Sequence, residues 1–160
     1  MMTTTRPSWE EFALLQAFAA ATRSEDPYRK VGACALDHNH RILGTAYNGL
    51  ATGKQVDEKF WLDREGRRPY MLHAEVNLMT LFTRGEADIV AVTLKPCSSC
   101  AQALAANGVK TLVYCHEYDR DVKGEEILSF YGIKVKRVFP SELMPYAHLM
   151  SRLIDGDCAR

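Results

Sequence analysis

The stretch Ile89-Val90-Ala91-Val92-Thr93-Leu94-Lys95-Pro96-Cys97-Ser98-Ser99-Cys100-Ala101-Gln102-Ala103-Leu104-Ala105-Ala106-Asn107-Gly108 passes from strand to helix in one step. Ile89 to Leu94 is a nearly continuous apolar run, as expected of a central strand buried on both faces. Ser98 to Asn107 reads as a helix that Gly108 ends. Lys110 to Tyr114 is again a strand. Strands joined through a helix run parallel, because the crossover returns the chain to the same end of the sheet. The pattern repeats downstream. Val122 to Tyr131 reads as a helix ended by Gly132, Ile133 to Val138 as a strand and Ser141 to Ile154 as a last helix.

Upstream, Ala74 to Arg84 reads as a helix with Val76, Leu78, Met79, Leu81 and Phe82 apolar and Gly85 as its stop. Gly49 to Pro69 is polar and irregular, and a connection that long inside a compact domain is usually functional or mobile. Val31 to Leu36 and Arg41 to Tyr47 read as a hairpin around the turn Asp37-His38-Asn39-His40. Ser8-Trp9-Glu10-Glu11 has the form of a capping box and opens a helix to about Arg23, with Trp9, Phe12, Leu15 and Phe18 or Ala19 as the expected buried stripe. The order α-β-β-α-β-α-β-α-β-α predicts an α/β fold, a three-layer α/β/α sandwich on a five-stranded mixed sheet.

The 160 residues are read as a single domain, with a core over about 8–140 and a C-terminal helix and tail over 141–160. Lys plus Arg equals Asp plus Glu at 20 each, so there is no electrostatic footprint for duplex nucleic acid, although two or three local cations suffice for one phosphate. No apolar run is long enough for a membrane helix, and Met1 to Ser8 lacks the apolar stretch of a secretory signal. Five cysteines, two of them in a C-x-x-C, point to a reducing cytoplasm with metal-bound thiolates rather than a disulfide framework. Cys34 and Cys115 read as packed thiols, Cys158 as part of a tail, and His38 and His40 as solvated turn residues.

Two motifs carry chemistry: His73-Ala74-Glu75 and Pro96-Cys97-Ser98-Ser99-Cys100, each at a predicted helix start. One imidazole and two thiolates suit a single Zn²⁺ ion, and three protein ligands leave a fourth position for water, the catalytic pattern. The helix N-termini favour thiolates at Cys97 and Cys100. Zinc lowers the pKa of a bound water from about 16 towards about 7. Glu75 can stand beside the metal without ligating it and move a proton between water and a substrate nitrogen. The combination H-x-E with P-C-x-x-C is the zinc-deaminase signature.

On these residues the chain resembles the cytidine deaminase superfamily, and within it the deoxycytidylate (dCMP) deaminases. The resemblance covers about Ser8 to Pro140. It is carried by Arg23-Ser24-Glu25-Asp26-Pro27, Val31-Gly32-Ala33-Cys34, Ile42 to Gly49, Pro69-Tyr70, His73 to Asn77, Leu94 to Ala101, Gly108-Val109-Lys110 and Tyr118. It implies a cytidine deaminase-like fold and hydrolysis of dCMP to dUMP plus ammonia. It places Asn48 on the sugar, the Ala74 backbone and the region of Pro96 on the pyrimidine edge, Arg23 and Ser24 at the 5′-phosphate, and Tyr118 near the base or sugar. It further implies a homo-oligomer, dimer or hexamer, and an allosteric dCTP or dTTP bound through the segment after Asn48-Gly49. There the chain departs from the pattern: Ala51 stands where proline is usual, and Gly53 to Arg68 is basic, with Lys54, Lys59, Arg64, Arg67 and Arg68.

Other readings share the motifs. The same chemistry serves cytidine, a modified or antibiotic cytosine nucleoside, guanine or a tRNA adenosine. The neutral charge weighs against folded RNA, and the helix between the last two strands weighs against the small tetrameric cytidine deaminases, whose corresponding strands run antiparallel. A catalytically silent zinc-binding or nucleotide-sensing module would have no need of Glu75. His116, on a loop near the C-terminal sheet edge, is a further candidate for substrate contact.

Overall fold

The hairpin expected around residues 37–40 forms between β1 (Gly32–Leu36) and β2 (Ile42–Tyr47). Asp37 shapes its turn: the carboxylate accepts from the backbone N–H of Asn39 and Arg41, and His40 takes a positive φ of 61°. The computed structural model describes residues 6–157, so the Cys158 tail and Met1 to Thr5 lie outside the described residues. β1 pairs antiparallel with β3 (Ile89–Leu94), and β3, β4 (Thr111–His116) and β5 (Lys134–Arg137) run parallel. The strand order β2-β1-β3-β4-β5 is the expected five-stranded mixed sheet.

Helices cover both faces. Ala33, Ala35, Val90, Val92 and Leu112 point into one core with Ala74, Leu78, Ala101, Leu104 and Leu128. These come from α3 (Ala74–Met79), α4 (Ser98–Ala106) and α5 (Gly124–Phe130). Cys34, Leu36, Ile89, Ala91, Val113 and Cys115 point the opposite way, onto Ala13, Leu14, Ala17 and Leu143 of α1 (Trp9–Ala21) and α6 (Pro140–Ile154). Alternation across the strands therefore feeds two cores, which makes the three layers. Cys34 and Cys115 are packed thiols, as expected.

α1 starts with the predicted capping box: Ser8 Oγ accepts from Glu11 N, and Glu11 accepts from Ser8 N. The face it buries only partly matches the expected one: Leu15 and Phe18 pack against the core that α1 covers while partly buried. Ala13, Leu14, Ala17 and Ala21 are buried, whereas Trp9 is exposed and stacks on His40 at 4.7 Å. The cause is close approach to β1: a Cβ at Gly32 would lie 1.8 Å from the Ala17 carbonyl oxygen. Glycine at 32 and the small Ala17 and Ala21 let the helix backbone come that near the sheet.

α3 ends at Met79 instead of Arg84, because Thr80 Oγ1 donates to the Asn77 carbonyl and diverts the helical ladder. The stretch 49–69 is more ordered than its composition suggests. Gly49 and Leu72 close its base by exchanging two backbone hydrogen bonds, and it contains α2 (Glu58–Leu62), capped by Asp57, and a 3₁₀ turn over Arg68–Tyr70. No helix among the described residues is long and apolar enough to cross a membrane.

Candidate active site

His73 and Cys97 are the N-cap residues of α3 and α4, and Cys100 lies in the first turn of α4. β3 delivers Cys97 directly, through Lys95 and Pro96. His73 Nδ1 is 3.6 Å from Cys97 Sγ and 3.4 Å from Cys100 Sγ, and the three candidate ligand atoms all lie within 4.8 Å of one another. A tetrahedral zinc with ordinary Zn–N and Zn–S bonds has N···S edges of about 3.6 Å. The three donors therefore have the spacing and the chemistry of a zinc site.

Electrostatics agree with that reading. Cys97 is brought down to about 3 by hydrogen bonds from Cys100, His73 and Ser99, acting against partial burial. Cys100 is pushed up by the neighbouring Cys97 thiolate and by burial. A divalent ion would allow both to ligate as thiolates. The hydrogen bond to Cys97 raises the His73 pKa against the effect of burial. Glu75 is buried, and burial raises its carboxyl above the ordinary range against the pull of its own backbone N–H and of His73.

Side chains outside the motifs hold this centre in place. Asp121 caps α4 by accepting from Ser98 N at 2.8 Å and Ser98 Oγ at 2.6 Å. Gly124, the first residue of α5, packs so closely that a Cβ there would lie 2.0 Å from the Pro96 carbonyl oxygen.

A cavity opens over His73, Glu75 and Cys97. Asn48 and Tyr118, the residues that the resemblance set beside the sugar and base, both line it. The Asn48 amide is already engaged: Oδ1 accepts from Ser24 Oγ and Val31 N, both at 2.8 Å, and Nδ2 donates to the Arg29 carbonyl at 2.9 Å. Ser24 is buried beneath Asn48, and Arg23 is exposed with its guanidinium over the Tyr47 ring; neither lines the cavity. Ala74 and Pro96 are fully buried at the two ligand turns and do not line it either. His116 ends β4 against Phe18, away from the cavity.

Of the residues that form the rim, Arg64 and Arg68 lie in the basic loop, whereas Arg29 and Arg120 fall outside the motifs singled out in the sequence. Arg29 faces the Tyr118 ring at 5.5 Å, Arg64 lies over Tyr28 at 5.1 Å, and Arg68 and Arg120 complete a cationic edge. Arg67 and Asp26 form a buried ion pair behind them. The run of basic residues from Lys54 to Arg68 was the available signal; their convergence with Arg29 is a tertiary fact.

Residues 7–116 match the family described as the cytidine and deoxycytidylate deaminase zinc-binding region. The human deoxycytidylate deaminase is 28% identical over 145 residues, 82% of this chain and 80% of that protein. The deoxycytidylate deaminase of Mycobacterium phage D29 is 32% identical over 128 residues, 70% of this chain and 98% of that protein. The crystal structure of dCMP deaminase from cyanophage S-TIM5 in complex with dCMP and dUMP superposes with a TM-score of 0.70 at 26% identity, over 84% of this chain and 99% of that one. Both ligand motifs fall inside the matched region, on the helix starts that bring their donors together, and the chain belongs to the cytidine and deoxycytidylate deaminase zinc-binding family.

Proposed function

We propose that this protein is a zinc-dependent hydrolase that converts dCMP and water to dUMP and ammonia. The observation that carries the reading is the buried Glu75 carboxyl beside a His73, Cys97 and Cys100 donor set, at the floor of a cavity with an arginine rim. The relatives that are deoxycytidylate deaminases support the choice of substrate.

When bound by His73, Cys97 and Cys100, zinc makes a water acidic near neutral pH. Glu75 takes a proton from the attacking water and gives it to ring nitrogen N3, which makes C4 electrophilic. The water oxygen bonds to C4, Glu75 passes the second proton to the exocyclic amine, and the C4–N bond breaks to release ammonia. The raised affinity of Glu75 for protons suits a group that must accept and return them. Asn48 and Tyr118 form the wall beside the sugar and base, with Ser24 acting through Asn48. The Ala74 and Pro96 turns frame the pyrimidine edge through backbone. Arg23 lies outside the cavity, so the 5′-phosphate goes to Arg29, Arg64 and their neighbours at the rim, where guanidinium forks match phosphate oxygens.

The chain works as one deaminase domain in a reducing cytoplasm, which its free cysteines favour. It assembles as a homo-oligomer. Of the apolar residues on α6 only Leu143 is buried, while Met144, Leu149, Met150 and Leu153 stay exposed. Light scattering that returns a monomer at working concentration would refute that assembly. A dCTP or dTTP effector at the 53–68 segment is tested by adding each at fixed dCMP; unchanged rates remove it.

Glu75→Ala tests the chemistry. The variant keeps its zinc and its melting profile and loses turnover by about 10²–10⁴-fold; retention of more than a few per cent of the rate overturns the role of Glu75. Ammonia release across dCMP, deoxycytidine, cytidine and guanine tests the substrate. If dCMP turns over no faster than deoxycytidine, the nucleotide reading falls.

A further inference from the structure

Two walls of the cavity meet behind the arginine rim, joined at the exposed edge by a hydrogen bond from Tyr28 Oη to the Leu62 carbonyl at 3.0 Å and, in the interior, by a buried ion pair. One wall is the turn after α1, which carries Arg29; the other is the loop after α2, which carries Arg64 and Arg68. Asp26 Oδ2 accepts from Arg67 Nη1 at 2.7 Å, and Oδ1 accepts from Nη2 at 3.0 Å. Both side chains are 7% exposed. The same carboxylate accepts from Tyr28 N at 2.8 Å, from Arg29 N at 3.1 Å and, weakly, from Asn48 Nδ2 at 3.4 Å. The Arg67 guanidinium lies between the rings of Tyr28 at 4.9 Å and Trp61 at 6.0 Å.

We propose that Arg67 is a positioning residue for the deamination of a nucleotide. Its bidentate pair with Asp26 latches the two walls so that Arg29 on one and Arg64 and Arg68 on the other stand at the spacing that reads a single 5′-phosphate. The inference rests on the reading of the rim given above.

A buried ion pair is a poor source of stability, because desolvation consumes most of its Coulombic gain. Its value here is geometric. Asp26 fixes the backbone of Tyr28 and Arg29 on one side and, through the fork, residue 67 on the other. Arg67 faces the cavity but spends its Nη edge on Asp26, so it orients its neighbours instead of binding ligand. Its Nε is buried without an acceptor, so the side chain is placed by the carboxylate at the expense of its own hydrogen bonding. Asp26 is also the carboxylate that offsets the rim. Arg29, Arg64, Arg67, Arg68 and Arg120 all face the cavity, and the other lining carboxyl among the described residues is Glu75 at the zinc end. Release of the latch leaves like charges free to spread.

The test compares zinc-loaded wild type with Arg67→Gln, Arg67→Lys and the double variant D26N/R67Q, using dCMP and deoxycytidine as substrates and zinc content as a control. For Arg67→Gln, KM for dCMP rises about 10-fold or more while kcat stays within about 3-fold, and kcat/KM for deoxycytidine falls far less. Arg67→Lys keeps the charge but loses the fork, so it restores only part of the affinity. The double variant leaves no unpaired buried charge, so it carries the test if Arg67→Gln fails to fold. An unchanged KM for dCMP, or an equal loss of kcat/KM for dCMP and deoxycytidine, overturns the proposal. Arg29→Ala and Arg64→Ala separate the two levels. If they abolish the preference for dCMP while the Arg67 variants do not, only the latch fails; if they too leave it intact, the rim is not the phosphate site and both readings fail.

Discussion

Gly124→Ala should weaken zinc binding although residue 124 touches no ligand. A Cβ at this position would lie 2.0 Å from the Pro96 carbonyl oxygen and 3.0 Å from its carbon. Real Cβ atoms essentially never come closer than 3.0 Å to another heavy atom, so the backbones of residues 96 and 124 must separate by about 1 Å. Neither side yields easily. Gly124 begins α5, anchored by the fully buried Leu128, and Pro96 is fully buried directly after β3. Overpacking of this kind costs about 1–3 kcal/mol, equivalent to a melting temperature lowered by about 2–12 °C in a domain of this size. The specific consequence follows from Cys97, the residue after Pro96. Ligand distances in zinc sites hold to about 0.2 Å, so a fifth of the displacement passed on to Cys97 already spoils the geometry. The expected loss in zinc affinity is about 10-fold or more, about 1.4 kcal/mol. Competition with a chromophoric chelator measures it, and melting curves with and without zinc measure the packing cost. A variant with wild-type zinc affinity and an unchanged melting temperature would refute the claim that α5 buttresses the metal turn.

Two further outcomes follow from the ionisation of named groups. In zinc-free protein at neutral pH, iodoacetamide should modify Cys97 ahead of Cys34, since Cys97 is held at about 3 and burial pushes Cys34 up to about 12; peptide mass spectrometry reads the order, zinc should protect Cys97, and faster labelling of Cys34 contradicts the assignment. For Asp26, burial opposes ionisation, but hydrogen bonds from Arg67, Tyr28 N and Arg29 N outweigh it and hold the carboxyl below its ordinary value. A depressed pKa contributes stability that is present above the unfolded value of about 3.9 and is lost as pH falls through the folded value, so wild type should lose more melting temperature than Asp26→Asn between neutral pH and pH 3, and parallel curves would show that the pair is not coupled to folding.

What the sequence disclosed, and what it withheld, divides along physical lines. Ile89 to Gly108 was legible because a strand buried on both faces is apolar throughout and because the helix after it carries its own stop signal. The zinc ligands were legible because each motif lies within a few residues, at a helix start that local rules predict. The buried face of α1 was not. Phe12-Ala13-Leu14-Leu15 and Ala17-Phe18-Ala19-Ala20-Ala21 are apolar on every side, so periodicity selects no face. The close approach to Gly32 selects it, by bringing the backbone at Ala17 and Ala21 against β1. The end of α3 was missed for a related reason: Leu81 and Phe82 continue the helical spacing, while the Thr80 hydroxyl ends the ladder on the Asn77 carbonyl.

Arg67 marks the deeper boundary. Within Arg64-Glu65-Gly66-Arg67-Arg68 nothing distinguishes the arginine that is buried from those that are exposed, because a charge run ordinarily means a solvated face. Its partner Asp26 lies 41 residues earlier, and tertiary contacts such as the closed base at Gly49 and Leu72 and the Tyr28–Leu62 hydrogen bond bring the two segments together. The same division separates the two halves of the function. The deaminating chemistry belongs to short motifs on helix starts anchored in the sheet, where backbone geometry leaves the donors little freedom. On the proposed reading, substrate choice belongs to side chains from two loops that the Asp26–Arg67 pair and the Tyr28–Leu62 hydrogen bond hold together. A family can therefore retain its reaction while its substrate changes, and on the proposed reading of the rim such a change would act in this chain at the Asp26–Arg67 pair and the arginines beside it.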